Sequence, residues 1–191
     1  MLDDLIKLSA LGLTRWLRYF LMRYLSFVVL AALTITAQAS SLERVGLPNL
    51  VLLGESRLSV LFWDIYDARL YVQDRTYHPD QPFALSLTYL RDFSGPDIAQ
   101  RSIKEIRQQG FGDESVLDSW KTQLSAIFPD VVVGDEIIGI SNPSEGAKFF
   151  LNGSLIGTIT DQNLRVRFFD IWLSEKTSEP EMRLSLLRID Q

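Results

Sequence analysis

Apolar and polar positions alternate along the segment from Arg57 to Val72, RLSVLFWDIYDARLYV. A period of two places successive side chains on opposite faces of an extended strand, so this segment predicts β-structure. Asp64 is the single charged residue on the apolar face, and a β-bulge is a common way to accommodate such an interruption. We therefore predict one long strand, or two strands joined at a bulge near Asp64-Ile65. The apolar face comprises Leu58, Val60, Phe62, Tyr66, Ala68, Leu70 and Val72.

Further segments show strand patterns. Large apolar residues alternate with small or polar ones from Phe83 to Tyr89, through Leu85 and Leu87. An Asn152-Gly153 pair between two apolar stretches favours a type I′ turn and predicts a hairpin. Gly134-Asp135 predicts another turn between two short candidate strands. The hairpin strands are residues 148–151 and 155–159, and the candidates around the second turn are residues 131–133 and 137–140.

Helical periodicity interrupts the strands at three places. Pro96 stands where a first helical residue is tolerated, and Asp113 and Asp161 are suited to cap two further helices. Apolar residues follow each of these positions at helical spacing, and a short terminal helix is predicted from Pro180. Each helix presents one apolar stripe, so the economical arrangement lays the helices on one face of a mostly antiparallel sheet. The sequence thus predicts an α+β layered fold.

The first 39 residues carry the pattern of a secretory signal peptide. Arg23 precedes a short apolar run, Leu25 to Leu33, and Ala37-Gln38-Ala39 forms an A-x-A cleavage site before Ser40. This run is shorter than the roughly 20 apolar residues of a membrane-spanning helix, so we predict cleavage and no stable span in the exported protein. A retained anchor is the alternative. The predicted location is the periplasm.

Met22 offers a second start site within this leader. Translation from Met22 gives a compact signal peptide of residues 22–39, which leaves residues 1–21 outside the natural protein. If translation begins at Met1 instead, those residues form an amphipathic extension at the membrane surface. We predict the start at Met22.

Residues 40–191 suit a single domain with its own core. Their net charge is about −7, because the leader holds four of the 19 basic and two of the 24 acidic side chains. Nucleic-acid-binding domains normally carry the opposite sign, so we predict no nucleic-acid partner. One histidine and no cysteine disfavour a zinc or copper site, and no catalytic or phosphate-binding motif is found. We predict neither metal nor cofactor, and the oligomeric state stays open.

Three segments resemble the bacterial branch of the chalcone isomerase-like family: RLSVLFWDIYDARLYV, FALSLTYLRD and FFDIWL. The resemblance runs from Gly54 to Leu187. It implies a large curved sheet covered by helices, an open-faced β-sandwich with a ligand cleft between its layers. The plant enzymes of this superfamily close a chalcone into a flavanone, whereas several relatives keep the fold without that chemistry.

The catalytic positions of the plant enzymes match this sequence poorly. Those enzymes use an early arginine, a threonine on the next strand, and a tyrosine and an asparagine on the first helix. Carried over, these roles fall to Arg57, Tyr66, Asp97 or Ile98, and Lys104 or Glu105. At most one of these groups keeps its chemistry, so the resemblance implies a protein without chalcone isomerase activity.

Four residues are candidates for contact with a ligand in the cleft: Arg57, Tyr66, Tyr89 and Arg91. Arg57 is the candidate cation for an acidic group, and the tyrosine hydroxyls are candidate donors in an apolar pocket. Structural roles are the alternative, with Arg57 solvated at the start of a strand and the tyrosines in the core. The neighbouring charged residues Asp64, Asp67 and Arg69 predict either a buried ionic cluster or a cross-strand ion pair.

We expect an exported binding protein that holds an apolar, weakly acidic small molecule, such as a fatty acid, in the helix–sheet cleft. The alternative is an intramolecular lyase or isomerase acting on an unknown substrate. In that case Tyr66 or Tyr89 is the hydrogen-bond donor and Arg57 the electrostatic clamp. A third hypothesis is an envelope protein that works through protein partners and binds no small ligand.

Overall fold

The computed structural model describes Val45 and residues 49–189. Within that part of the chain, no helix combines the length and the apolar character needed to cross a membrane. The predicted signal peptide, its cleavage before Ser40 and the choice between Met1 and Met22 all fall outside the described residues.

The described residues form one six-stranded antiparallel sheet in which every strand pairs with its neighbour in sequence. Its strands are β1 (Val51–Val60), β2 (Trp63–Val72), β3 (Phe83–Tyr89), β4 (Glu136–Asn142), β5 (Gly146–Leu151) and β6 (Ser154–Ile159). The helices are α1 (Gly95–Gln108), α2 (Glu114–Ile127), α3 (Gln162–Leu173) and α4 (Pro180–Leu187). The predicted α+β fold, an open curved sheet with layered helices, is confirmed.

The main core lies between the inner face of the sheet and the helices. Leu70 of β2 and Phe149 of β5 are almost fully buried there, opposite Ile103 of α1 and Leu124 of α2. A smaller cluster covers the outer face of the middle strands and consists of Leu50, Ala84, Ile138 and Ile140. Because both of its faces are covered, β3 is the most deeply enclosed strand, and it forms the centre of the layer against which the helices pack.

The helix caps predicted at Asp113 and Asp161 are confirmed. The first helix, α1, has Pro96 in its first turn as predicted, and Ser94, which was not predicted, is its cap. The Asp113 side chain accepts a hydrogen bond of 3.1 Å from the Val116 amide at the start of α2. Asp161 accepts bonds from the amides of the second and third residues of α3. Each carboxylate or hydroxyl satisfies amide groups that have no partner inside the helix, which is why these short polar residues set the helix starts.

The segment from Arg57 to Val72 is a hairpin of two strands and not one long strand. Leu61 and Phe62 form its turn, closed by the pair Val60 and Trp63, and Leu61 adopts a φ of 57°. A bulge does occur at Ile65, yet the chain reverses before it. This turn contains neither glycine nor asparagine, the usual signals of a tight hairpin turn. The alternating pattern continues through it, so the sequence does not reveal the turn.

The hairpin predicted around Asn152-Gly153 is confirmed. It joins β5 to β6, and the two residues have φ values of 50° and 88°. Both central positions of a type I′ turn need a positive φ, which asparagine and glycine adopt more readily than other residues.

The strand predicted at residues 131–133 is wrong. Val131 forms a single antiparallel bridge with Phe93. The next two amides donate to side-chain carboxylates, Val132 to Asp135 and Val133 to Asp92, rather than to a neighbouring strand. Short apolar runs predict burial poorly by themselves, and these two valines are exposed.

Candidate ligand-binding site

A cavity of about 370 Å³ lies between the inner face of the sheet and the helices, within the range of roughly 300–1,000 Å³ typical of small-molecule sites. Its walls are largely apolar and aromatic. The sheet contributes Leu85, Leu87, Ile137 and Phe149, and the helices contribute Ile98, Phe168, Ile171 and Trp172. Such a surface favours an apolar ligand, because contact with it removes hydrocarbon from water.

Two tyrosines place hydroxyl groups in this lining. Tyr66 of β2 pairs in register with Tyr89 of β3, and their rings meet edge to face with centroids 6.2 Å apart. The indole Nε1 of Trp172 donates a 2.9 Å hydrogen bond to the Tyr66 hydroxyl oxygen. Among the described residues, no hydrogen bond to the Tyr89 hydroxyl is found. The Tyr66 proton and the Tyr89 hydroxyl are therefore available to a ligand.

Burial keeps both tyrosines neutral. It raises the pKa of Tyr66 to about 12, and it raises the pKa of Tyr89 further, with the neighbouring Tyr66 adding to the effect. A phenolate in this apolar setting would lose its hydration without gaining a cation in contact. At neutral pH the two groups act as hydrogen-bond donors and not as bases.

A polar rim of α1 and the segment before α4 completes the lining. Arg101 Nη2 lies 2.6 Å from Glu105 Oε1, and the Ser178 hydroxyl donates a 2.8 Å hydrogen bond to Glu105 Oε2. The Arg101 side chain is 58% exposed and that of Glu105 only 5%. Oε1 is buried, and its contact with Arg101 is an ion pair that lacks hydrogen-bond geometry. This oxygen is therefore closed to a ligand.

The rim carries more negative than positive charge. Arg101 is the only basic residue among the described residues that line the cavity, whereas Asp97, Glu105 and Glu179 are acidic. Val60, Asp97, Arg101 and Ser178 are the exposed members of the lining, so the entrance lies between the end of β1 and the start of α1.

Of the four predicted contact residues, Tyr66 and Tyr89 line the cavity, whereas Arg57 and Arg91 lie outside it. Arg57 binds both oxygens of Asp67, at 2.6 and 3.0 Å, and also contacts Asp64 at 3.0 Å. Strand alternation explains this: Leu58 and Tyr66 face the cavity, so Arg57 and its cross-strand partner Asp67 face outward.

The outward ion pairs agree with the charge pattern seen in the sequence. The hydrogen bond that Arg57 donates to Asp67 is the main cause that raises the pKa of the Arg57 guanidinium. Arg69 pairs with Glu55 in the same way, at 3.1 Å. The guanidinium of Arg91 lies 4.2 Å above the ring of Trp63, near the tip of the β1–β2 hairpin.

Sequence reasoning missed the Arg101–Glu105 pair as part of the site. The spacing of four residues within the apolar stripe of α1 was the available signal, since Glu105 lies beside the buried Ile106. Ser178, in the segment before α4, gave no signal. Arg165 of α3 is buried, and its guanidinium donates to the Ser141 hydroxyl and to the side-chain oxygen of Gln162.

No group of three or more histidine, aspartate or glutamate side chains in the described part of the chain is arranged to hold a metal ion. The polar groups of the cavity are thus hydroxyls, carboxylates and one guanidinium. This set can bind a polar head group through hydrogen bonds and charge.

The family model of chalcone isomerase-like proteins matches residues 36–188. The chain belongs to the chalcone isomerase-like family. Among solved structures, this family member is similar to a fatty-acid binding protein of Arabidopsis thaliana, with a TM-score of 0.56 and 13% sequence identity. The similarity covers 73% of this chain and 87% of the plant protein. None of the curated proteins matches the sequence.

Some of the positions in this chalcone isomerase-like protein that align with the catalytic residues of the plant enzymes line the cavity. Tyr66, Asp97, Ile98 and Glu105 line it, and Arg57 and Lys104 do not. The helix α1 therefore presents carboxylates and an isoleucine where the plant enzymes use a tyrosine and an asparagine. Closure of a chalcone into a flavanone proceeds by addition of a phenolate oxygen of the substrate to its enone. Carboxylates repel a phenolate, so this lining suits that reaction poorly.

Proposed function

We propose that this protein binds a single-chain, weakly acidic lipid such as a fatty acid in the cavity between sheet and helices. One observation carries the proposal: an apolar cavity of about 370 Å³ has two neutral tyrosines, Tyr66 and Tyr89, in its lining. The similar plant structure is that of a fatty-acid binding protein, which supports the same ligand class.

The apolar walls supply the affinity in this proposal. Each methylene group that moves from water into such a cavity contributes about 0.8 kcal/mol. Lengthening an acyl chain by two methylenes is therefore expected to tighten binding about tenfold, until the cavity is full.

The rim selects the protonated form of the acid. A carboxylate would meet Asp97, Glu105 and Glu179 with only Arg101 to balance them. A protonated carboxyl group carries no charge that these side chains repel, and its carbonyl oxygen accepts from a tyrosine hydroxyl. This pairing uses the donors that the lining leaves free.

Native mass spectrometry of the protein purified from the periplasm tests the proposal. In parallel, the bound material is extracted into organic solvent and identified. A stoichiometric acyl adduct is expected. Leu87→Trp, which fills the cavity, should abolish the adduct, and Leu155→Trp, on the exposed part of β6, should retain it. If folded Leu87→Trp keeps the adduct, or the wild type takes up no added dodecanoate in calorimetry, the ligand lies elsewhere or is of another class.

The proposal includes export, supported by the signal-peptide pattern that ends at Ala39. The exported protein is expected to begin at Ser40, which N-terminal sequencing tests. A sequence that begins upstream of Ser40 contradicts cleavage at that site.

An intramolecular lyase or isomerase remains the second candidate. The observation in its favour is that Tyr66 and Tyr89 present two neutral hydroxyls to one cavity, where they could stabilise a developing oxyanion. Incubation with chalcone, followed by its loss of absorbance, tests the family reaction. Turnover that is lost in Tyr66→Phe and in Tyr89→Phe supports this candidate. Turnover that survives both substitutions contradicts the assignment of the two hydroxyls to catalysis.

A further inference from the structure

The tip of the β1–β2 hairpin exposes four consecutive apolar residues, Val60 to Trp63. Leu61 is 88% exposed, Phe62 96%, Trp63 58% and Val60 46%. The other tight hairpins of the sheet turn at residues typical of soluble proteins, β4–β5 through Pro143-Ser144-Glu145 and β5–β6 at Asn152-Gly153. The apolar tip is therefore a property of this hairpin and not of the fold.

The exposed side chains of this tip do not stabilise the fold. Leu61 adopts the left-handed region at a φ of 57°, which is costly for a residue with a branched side chain. Phe62 stands almost wholly in water. A tip of this kind is explained by contact with an apolar phase outside the protein.

The base of the tip has the chemistry of a bilayer interface. The Arg91 guanidinium lies 4.2 Å above the Trp63 ring, so an amphipathic indole and a cation stand together behind Leu61 and Phe62. Tryptophan concentrates at the level of lipid head groups, and arginine binds their phosphates. Val133, exposed and bonded through its amide to Asp92, adds apolar surface beside Arg91.

The hairpin is continuous with the cavity. Val60, which belongs to the tip, and Ile65, two residues after it, also line the cavity. Its entrance lies at the end of β1, so a bilayer that receives the tip is adjacent to that entrance.

We propose that the tip of the β1–β2 hairpin, Val60–Trp63, inserts into a lipid bilayer, and that the cavity exchanges its ligand with that bilayer. The exchange rests on the proposed function, whereas the insertion does not. Four side chains fall well short of the roughly 800 Å² per partner of a stable protein interface, which favours a bilayer over a second copy.

Charge contributes little to this insertion. The ion-paired residues near the tip are Arg57, Asp64 and Asp67, and the loop beside Trp63 adds Arg91 and Asp92, so the two signs nearly cancel. We expect binding to phosphatidylcholine vesicles as well as to vesicles that contain phosphatidylglycerol, with a weak dependence on salt.

Vesicle flotation with the protein recovered after export tests the insertion. The double variant Leu61→Ser/Phe62→Ser is compared with Leu155→Ser, which removes another exposed leucine. The N-terminus of each protein is checked by intact mass, so that the leader is the same in all of them. The double variant is expected to lose about tenfold or more in vesicle affinity, and Leu155→Ser to retain it. Equal flotation of the double variant and the wild type overturns the proposal, as does the absence of flotation in the wild type.

Two further readouts separate the insertion from the ligand site. In solution, the double variant should bind dodecanoate as the wild type does, but it should extract the same acid from vesicles more slowly. Normal dodecanoate binding with unchanged vesicle affinity contradicts the insertion and leaves the proposed function standing. If light scattering gives a different molecular mass for the double variant than for the wild type, and neither protein floats with the vesicles, the tip is a protein contact and the proposal is overturned.

Discussion

The indole Nε1 of Trp172 donates a 2.9 Å hydrogen bond to the hydroxyl oxygen of Tyr66, a residue 106 positions earlier in the chain. This bond joins α3 to β2 across the cavity wall. It uses Tyr66 as an acceptor, so the tyrosine proton stays available for a ligand. The same contact therefore stabilises the helix–sheet packing and orients a binding group.

Removing the two tyrosine hydroxyls should have different effects on stability. Tyr66→Phe leaves the buried Trp172 N–H without a partner, which should lower the free energy of unfolding by about 1–3 kcal/mol. Tyr89→Phe breaks no hydrogen bond found among the described residues and should change stability little. Both should weaken dodecanoate binding by about 0.5–1.5 kcal/mol if the hydroxyls contact the head group.

Urea unfolding and calorimetry measure these effects. Tyr71→Phe is the matched control, because Tyr71 lies on the opposite face of β2 and outside the cavity. If Tyr71→Phe loses as much ligand affinity as Tyr66→Phe and Tyr89→Phe do, the hydroxyls of Tyr66 and Tyr89 do not contact the ligand.

The rim residues should affect ligand binding according to charge. Glu105→Gln removes one of the three acidic charges of the lining and releases Arg101 from its ion pair, so it is expected to strengthen binding of the ionised acid. Arg107→Gln, on the same helix but paired with Glu114 outside the cavity, should leave affinity unchanged and is the control. Arg57→Gln should also leave affinity unchanged, since its head group faces outward onto Asp67.

The pH dependence of dodecanoate affinity gives an independent check. Because the proposed bound form is protonated, affinity should fall as pH rises above the pKa of the free acid. Affinity that rises with ionisation of the ligand would show that Arg101 binds a carboxylate instead.

Alkaline pH should destabilise the fold. Burial raises the pKa of Tyr66 and Tyr77 to about 12 and raises that of Tyr71 and Tyr89 too, from an ordinary value of 10.0. The unfolded chain loses these protons near pH 10 and the folded chain does not. The unfolded state then binds fewer protons, so stability is complete below pH 10 and declines from there upward.

The expected decline is roughly 1.4 kcal/mol per pH unit for a fully buried tyrosine. Urea unfolding above pH 10, with tyrosinate absorbance recorded in parallel, measures it. In Tyr89→Phe the slope should be shallower. A free energy of unfolding that stays constant between pH 10 and 12 would contradict the burial of these hydroxyls.

Gly54 should be intolerant of any side chain. A Cβ at this position would lie 2.3 Å from the backbone oxygen of Ser185 and 2.5 Å from that of Leu186, where α4 crosses β1. Because backbone atoms cannot rotate away, Gly54→Ala should cost about 1–3 kcal/mol or more. Gly112→Ala meets nothing within 4 Å and is the control. Equal melting temperatures of the two variants would contradict this close packing.

Local patterns determined most of the elements. The caps at Asp113 and Asp161, the proline starts and the Asn152-Gly153 turn depend on neighbouring residues alone, so the sequence predicts them correctly. The hairpin turn at Leu61-Phe62 escaped prediction because its residues carry no turn signal. The valines at 132 and 133 show the reverse case, a strand pattern whose amides bind carboxylates instead.

For the site, the sequence by itself determined the class of fold, the alternation that places Tyr66 and Tyr89 on the apolar faces of their strands, and a composition poor in metal ligands; that the two tyrosines pair came from the structure. Only the tertiary structure decided that Arg57 faces outward onto Asp67, and that Arg101, Glu105 and Ser178 meet at the cavity rim. The physical reason is the range of the interactions. Strand alternation and helix capping act within a few residues, whereas the direction of a side chain relative to a cavity depends on which face of the sheet the distant helices cover.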